Sequence, residues 1–584
     1  MDAGRNGTHW IVEGRIDPRW PINTRGNIGE VFPEVLTSLT YELGVINAER
    51  AWRRSYAGIG VLRPDDFSSD APVIIGLYGG YGYLNLSYLR MVGVRAPGSS
   101  AEAIDVSFFG EGNPPPYVPR KGDRSLLASL KILRTVLGAL KQRQLPDVVA
   151  DSFAAADEFV ARRPALDAPD DALLEYMLAM PGPFQRVFAN HMTTSALSSV
   201  VSGILIDACI TAGKPGLVTH LMGAAGGVRS AEYSRQLYAL ATLVRDTAPV
   251  AAAFDQGVDG LTARLQDTPE AATFCERFDR FLAEHGHRGP NDWELSGRTW
   301  DNTPELALIA IDRMRLAEHD LAPESRLIDD DRLRREAIAE VRPTLNRIDR
   351  LNFDKAIEAM PFWSQGREAT RDRAVRLTWP VKQVYRELVR RGAERGGHPD
   401  PTVVALLSPT TELAAYLEDP ASMAGTLEQR GVLQARFAKV EPRFFIASQD
   451  EVPSIEQLEA EQTTSATVKA QPGAVLTGNS GCCGIARGRV RVVLDPDEAG
   501  DLMPGEVLVA PLTDPAWTPL FLPAAAVVVN VGALMSHAVI VSRELAIPCV
   551  VSVADATKQL ADGMLVEVDG TAGTVTVLEP ALVT

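Results

Sequence analysis

VGALMSHAVIVSRELAIPCVV, residues 531–551, is the stretch on which the reading of this chain turns. The small apolar run from Ala524 to Val531 predicts a buried strand, Gly532 and Ala533 turn the chain, and Ser536 opens a helix that Pro548 stops. His537 therefore falls at a helix N-terminus, where unpaired backbone N–H groups and the positive end of the helix dipole favour an anion. A neutral imidazole nitrogen is also a nucleophile near pH 7. On spacing alone two readings stand: a phosphoryl carrier, or a structural or solvated histidine at a strand–helix junction.

The chain has 584 residues, 46% of them hydrophobic, which suits about three or four domains with sizeable cores. Its 58 Lys and Arg against 75 Asp and Glu give a net charge of -17, which opposes nucleic acid and anionic membrane. The most apolar stretch, Ala196 to Ala212, contains Asp207, Cys209, serines and a glycine, and reads as a buried helix rather than a membrane span. MDAGRNGTHWIVEGR at the N-terminus lacks the apolar core of a secretory signal. The five cysteines, at 209, 275, 482, 483 and 549, have neither disulfide-framework nor zinc-knuckle spacing. Reduced packing residues in a cytoplasmic protein are the expectation.

Taken in order, the chain first mixes short strands and loops. Glycines at 76, 79, 80 and 82 in APVIIGLYGGYGYLNLSYLRMVGV lack both the Gly-Lys-Ser/Thr of a P-loop and dinucleotide spacing. Tyr78, Tyr81 and Tyr83, interleaved with them, either pack a tight strand turn or line an apolar pocket for a substrate. From about Ser125 to Leu282 the apolar periodicity is helical almost throughout, ending in the loop FLAEHGHRGPNDWEL. Further on, Arg367 and Arg371 lie four apart on a helix with Glu368 beside them: a phosphate fork, or a solvated, salt-bridged face. Residues 447–479 are polar and acidic and read as a flexible linker. Short β-rich runs follow, among them GRVRVVL, EVLVAPL and MLVEVDG.

At CGIARGRVRVV, EVLVAPLTDPAWTPLF, GALMSHAVIVSRELAIPCVV, DAT (555–557) and DGMLVEVDGTAGTVTVL the chain resembles the mobile phosphohistidine domain of phosphoenolpyruvate-utilising enzymes. This group includes phosphoenolpyruvate synthase, rifampicin phosphotransferase and phenylphosphate synthase. The resemblance covers about residues 478–580 and implies that His537 is the phosphorylated residue. Ala533 stands where many members have a second glycine and Met535 where many have threonine. More loosely, GEVFPEVLTSLT, EHGHRGPNDWEL and REATRDR resemble the acceptor-binding part of the small-molecule phosphotransferases in that group.

The resemblance implies a multidomain fold: a mainly α-helical acceptor-binding body with some β at the N-terminus (1–446), the linker (447–479), and a C-terminal α/β (β/β/α) swivelling phosphohistidine domain (480–580). Catalytic roles fall to His537, Arg367, Glu368, Arg371, His287 and Arg288, with His287 or Glu368 accepting the hydroxyl proton. Ser536, Tyr78, Tyr81, Tyr83 and Glu294 are expected to bind substrate, though the 284–295 loop can equally cap the helical body. No ATP-grasp domain is recognisable in the 584 residues, so a separate ATP-grasp subunit is expected to bind ATP and Mg2+ and to charge His537 with release of AMP and phosphate. The mobile domain then swings to deliver the phosphoryl group to a small-molecule hydroxyl acceptor, expected to be an aromatic or hydrophobic alcohol or phenol. Metal ligands within this chain stay unassigned. Two alternatives stand beside this reading: a phosphoenolpyruvate-dependent phosphotransferase, and a non-enzymatic phosphocarrier or binding protein.

Overall fold

In a computed structural model the chain is described for residues 15–581, apart from 64, 68–70, 110–113, 145, 223–228, 317–322, 465–468, 495–501, 514–516, 522 and 533–535. Ala533 and Met535, the two departures from the family pattern, lie outside the described residues.

The N-terminal half is built on a small antiparallel sheet in the order β2 (Ile75–Tyr78), β3 (Tyr81–Asn85), β1 (Asn23–Thr24), β4 (Phe445–Ile446). Tyr78 and Tyr81 face each other across Gly79 and Gly80, whose φ values of 57° and 75° are those of a two-residue hairpin turn. The glycines thus serve the hairpin. All three tyrosines are buried in the core of the body. Tyr81 donates its hydroxyl to the Phe437 and Val440 carbonyls, and Tyr83 to that of Arg443. The Tyr81 and Tyr83 hydroxyls thus fasten the hairpin to residues 437–443 and Tyr78 packs edge-on against Tyr83 at 5.5 Å, the packing alternative for Tyr78, Tyr81 and Tyr83.

Helices surround this sheet. The short α1 (Ile28–Val31) carries Glu30. α2 (Pro181–Thr211) packs along α6 (Arg347–Glu394), the longest helix among the described residues at 48 residues, about 70 Å at 1.5 Å per residue. By length and apolar content the stretch 170–211 has the makings of a membrane span. Here its apolar residues Leu197, Val201, Leu205 and Cys209 lie in a core shared with Phe353, Met360 and Trp363 of α6. The five cysteines are free thiols, three of them buried.

α6 begins at Asn346, whose side chain accepts from the amides of Ile348 and Asp349. It is fixed midway by Trp363, 1% exposed, whose indole N–H donates to the Ala139 carbonyl at 3.1 Å. Beside it α3 (Arg229–Asp246), α4 (Ala272–His285) and α5 (Glu305–Leu316) form a second helical cluster.

The C-terminal sheet has eight strands in the order β5 (Val475–Thr477), β12 (Thr574–Glu579), β11 (Leu565–Asp569), β7 (Ile485–Val492), β8 (Val507–Ala510), β9 (Ala526–Val529), β10 (Cys549–Val551), β6 (Asn479–Cys482). The run β7–β8–β9–β10 is parallel and the remaining pairs are antiparallel. The two outermost strands, β5 and β6, are neighbours in sequence, joined through Gly478. This draws the two ends of the sheet together: a Cβ on Gly478 would lie 2.5 Å from the Val551 carbonyl oxygen, and one on Gly570 would lie 2.0 Å from that of Cys482.

The segment expected as a linker is partly structured. Residues Ile455–Thr464 are helical, bury Ile455 and Leu458 against the body, and are tied to it by Arg436–Glu459 and Arg443–Glu461 pairs. The sheet also starts at Val475, within the 447–479 segment. The mobile domain is seated on the body through a continuous apolar cluster in which Ile311 and Met314 of α5 join Trp517, Leu520 and Phe521.

Because Trp363 combines a large buried ring with a satisfied N–H, Trp363→Ala should cost about 3–5 kcal/mol. The measurement is chemical denaturation followed by far-ultraviolet circular dichroism, where the transition of the helical body should move to lower denaturant. An unchanged midpoint would show that α6 is held elsewhere.

Candidate active site

β9 ends the buried run at Val529, and α7 (His537–Glu544) begins with Ser536 as its N-cap residue. His537 is thus the first residue of a helix, as its sequence suggests. Its ring is held from one side by Thr513, whose hydroxyl lies 3.2 Å from Nδ1, and packs edge-on against Phe521 at 5.9 Å between centroids. Its backbone N–H donates to Glu30 Oε2 of the body at 3.2 Å. The helix N-terminus already engages an anion, one supplied by another part of the chain. Ser536 Oγ is buried and has no hydrogen-bond partner.

Facing His537 is a buried charge cluster. Asp292 accepts from Arg288 Nη1 at 2.7 Å and from Arg371 Nη2 at 3.3 Å, so one carboxylate holds two guanidiniums. Burial opposes the charge on Asp292, but Arg288 and then Arg371 hold its carboxyl below the usual carboxylate range. Arg288 stays charged despite its own burial because Asp292 raises its affinity for the proton. Asp372, one residue past Arg371, lies 3.4 Å from His287 Nε2 and 4.0 Å from Arg288 Nη2. Burial lowers the His287 pKa, opposed by Asp372, so the ring is neutral near pH 7. Lys382 donates to the Asp292 carbonyl at 3.0 Å, and burial brings its pKa down to about 8. For His537 burial is the first cause and Arg371 the second, and together they bring its pKa down to about 3, with Asp292 opposing and Arg288 contributing further. A neutral, nucleophilic imidazole is the result.

Five of the six expected catalytic residues, His537, His287, Arg288, Glu368 and Arg371, are linked through this cluster. Glu368 acts on Arg288 electrostatically and pairs with Arg367 at 3.6 Å, which brings Arg367 to the cluster's edge. Glu294 is a different case. Its Oε1 accepts from the hydroxyls of Thr37, Thr40 and Ser296 and from the Ser296 amide, which braces the 286–297 loop against residues 37–40. These are the contacts of the capping alternative for Glu294. Asp292, Asp372, Lys382 and Thr513 carry no role in the sequence reading, and Glu30 enters it only as the acid of GEVFPEVLTSLT. Asp292 and Asp372 each sit within a segment whose arginines were picked, and their placement at i+4 from Arg288 and i+1 from Arg371 is the signal available for them.

The cluster is short of partners. His287 Nδ1, Arg288 Nε and Asn291 Oδ1 are buried without a hydrogen bond, as is Ser536 Oγ across the seam. Such atoms are costly unless a ligand satisfies them. Donors on both sides of a neutral histidine, beside two guanidiniums, suit a phosphoryl group in transit. Among the described residues no group of three or more His, Cys, Asp or Glu side chains is placed to hold a metal, and Asp292 and Asp372 are already paired with Arg288, Arg371 and His287.

Two parts of the chain match known families. Residues 502–573 match the mobile domain of PEP-utilising enzymes, and residues 191–368 match the fourth domain of rifampicin phosphotransferase. The chain is 32% identical over 361 residues to an uncharacterised protein of Mycobacterium tuberculosis, an alignment covering 58% of this chain and 38% of that protein. It is 26% identical over 533 residues to the prodigiosin synthesizing transferase PigC of Serratia marcescens, covering 87% of this chain and 58% of PigC. Over 107 residues it is 43% identical to the rifampicin phosphotransferase of Streptomyces sviceus, covering 18% of this chain and 12% of that enzyme. The chain thus spans well under two thirds of the length of these relatives.

Docking should depend on pH through His537. Undocked, the ring takes a proton near pH 6.5; docked, only near 3. Between those values the undocked form binds the extra proton, so the contribution of His537 to docking is full above pH 6.5, is lost progressively as pH falls toward 3, and falls no further below it. Small-angle scattering should show the domains separating across this window in the wild type, with a smaller pH response in His537→Gln. Equal responses would remove His537 as the titrating group. Separately, Asp292→Ala leaves Arg288 buried without its carboxylate and should destabilise the body by about 3–5 kcal/mol in denaturant titration.

Proposed function

We propose, from the premise that this chain belongs to the PEP-utilising enzymes, that it is a phosphotransferase in which His537 accepts a phosphoryl group and passes it to the hydroxyl of a small molecule bound by the helical body. The observation that carries the reading is the meeting of His537 with Arg288, Arg371 and Asp292 at a seam whose buried Ser536 Oγ, His287 Nδ1 and Arg288 Nε lack partners.

In this reading His537, held neutral, is the nucleophile, and Thr513 at Nδ1 fixes the ring. Arg371 and Arg288 neutralise the equatorial oxygens, with Arg367 behind them, while Asp292 sets the spacing of the two nearer guanidiniums. Ser536 Oγ donates to a phosphoryl oxygen. Glu30 leaves the His537 amide as that oxygen arrives. His287 and Glu368 stay as positioning residues, the first through Asp372 and the second through Arg367.

The source of the group is a separate ATP-grasp subunit. ATP and Mg2+ are held there, where the metal shields the transferring phosphates. The acceptor is an aromatic or hydrophobic alcohol or phenol.

Labelled ATP tests the charging step. Acid-labile label should appear on the chain only when an ATP-grasp protein is added, and never on His537→Ala. Label acquired from phosphoenolpyruvate alone would replace this reading with a phosphoenolpyruvate-dependent one. Arg371→Ala should still take label but pass it on about 10²–10³-fold more slowly. Undiminished delivery would remove Arg371 from the transfer site.

A further inference from the structure

α2 crosses α6 at the level of the two arginines, and there it presents His191. The His191 ring lies within electrostatic reach of both Arg367 and Arg371. Its Nδ1 is 3.3 Å from Thr370 Oγ1, and the ring also hydrogen-bonds the Arg367 carbonyl. Thr370 has a single hydroxyl hydrogen, directed at the carbonyls of Gly366 (2.8 Å) and Arg367 (2.9 Å). With Thr194 Oγ1 also 3.0 Å from that oxygen, one hydrogen on Nδ1 shared between Thr370 Oγ1 and the Arg367 carbonyl meets both ring contacts, and this assignment leaves the lone pair on Nε2. Burial and then the two guanidiniums bring the pKa down to about 3, so the ring is neutral in the working range.

The surroundings of this lone pair are aromatic. Phe188, one turn earlier on α2, stands edge to face with His191 at 5.7 Å and with Trp293 at 5.7 Å, and Phe184 stacks behind it at 5.3 Å. Phe188, His191 and Trp293 are all partly exposed, unlike the core aromatics of the body. Trp293 follows Asp292 directly, and Arg371 is within reach of His191 and His537 alike.

We propose that this corner is the acceptor site and that it takes a phenol: the aromatic ring lies against Phe188 and Trp293, and the hydroxyl donates to His191 Nε2 beside Arg367 and Arg371. The inference rests on the phosphotransferase reading above and names its acceptor. In the transfer, the phosphorus–nitrogen bond of phosphorylated His537 breaks and its electron pair stays on that imidazole, while the phenol oxygen forms the new phosphorus–oxygen bond. The hydroxyl proton ends, in net, on the ring of His537, leaving a neutral histidine and an aryl phosphate. His191, flanked by two cations, orients the oxygen but does not retain the proton. This favours a hydroxyl that loses its proton as readily as a phenol, with a pKa of about 10, over an aliphatic one.

The test uses the full chain with His537 charged chemically by phosphoramidate, so that no partner is required, followed by addition of phenol or cyclohexanol. Phenyl phosphate should form, with cyclohexanol far behind. His191→Phe should charge normally and lose about 10²-fold in transfer to phenol, and His191→Gln, which keeps an acceptor atom, should recover part of it. Trp293→Leu should raise KM for phenol with kcat little changed. Charged wild type that makes no phenyl phosphate, or His191→Phe and His191→Gln that transfer like wild type, would overturn the acceptor site while leaving the phosphohistidine intact. A chain whose His537 takes no phosphoryl group would instead sink the reading on which it rests.

Discussion

Two guanidiniums share one carboxylate at the centre of this protein. Arg288 comes from the loop after α4 and Arg371 from the middle of α6, and Asp292 holds both within 3.3 Å. Arg288 is buried and Arg371 is 16% exposed, so without Asp292 the two like charges would repel where water screens them only in part. The same carboxylate offsets part of the positive field at His537, whose ring nonetheless remains neutral. The rest of the body maintains this arrangement: Trp363 fixes the height of α6, Glu294 braces the loop, and Lys382 holds the Asp292 carbonyl.

A neutral nucleophile beside two cations is a compromise between binding and reactivity. Protonation of His537 would remove its lone pair; burial and then the guanidiniums make that protonation unfavourable, and in the proposed function the same guanidiniums attract the phosphoryl group. His191 obeys the same logic on the other side of Arg371. Burial together with this field keeps both imidazoles neutral, the form that the proposed group transfer needs.

Much of the C-terminal domain is legible in its residues, because there local signals and tertiary structure agree. The expected strand from Ala524 to Val531 is β9 at Ala526–Val529, and the helix opens after Ser536. It ends before Pro548, with Ala546 in the left-handed region at φ 52°. The body is harder to read. Alternating Gly and Tyr from 76 to 83 fits a pocket wall as well as a hairpin, and what decides is the carbonyls of Phe437, Val440 and Arg443, some 350 residues away in sequence. Acids crowd the loop after α4, and composition does not say which one meets the arginines. The turn at Asn291, with φ 52°, sends Asp292 to Arg288 and leaves Glu294 facing Thr37 and Thr40. His191 lies far from every motif on an otherwise ordinary apolar helix, and only the crossing of α2 over α6 gives it neighbours.

The seat of the mobile domain is apolar: Trp517, Leu520 and Phe521 share a core with Ile311 and Met314. A carrier that left this seat would wet those side chains, at about 25 cal/mol for each Å² uncovered. Were the domain to shuttle as proposed, the trip would be close to thermally neutral only if the far berth covered the same rings. Trp517 and Phe521 therefore mark the part of this domain that any second berth, in the proposed function, would have to cover.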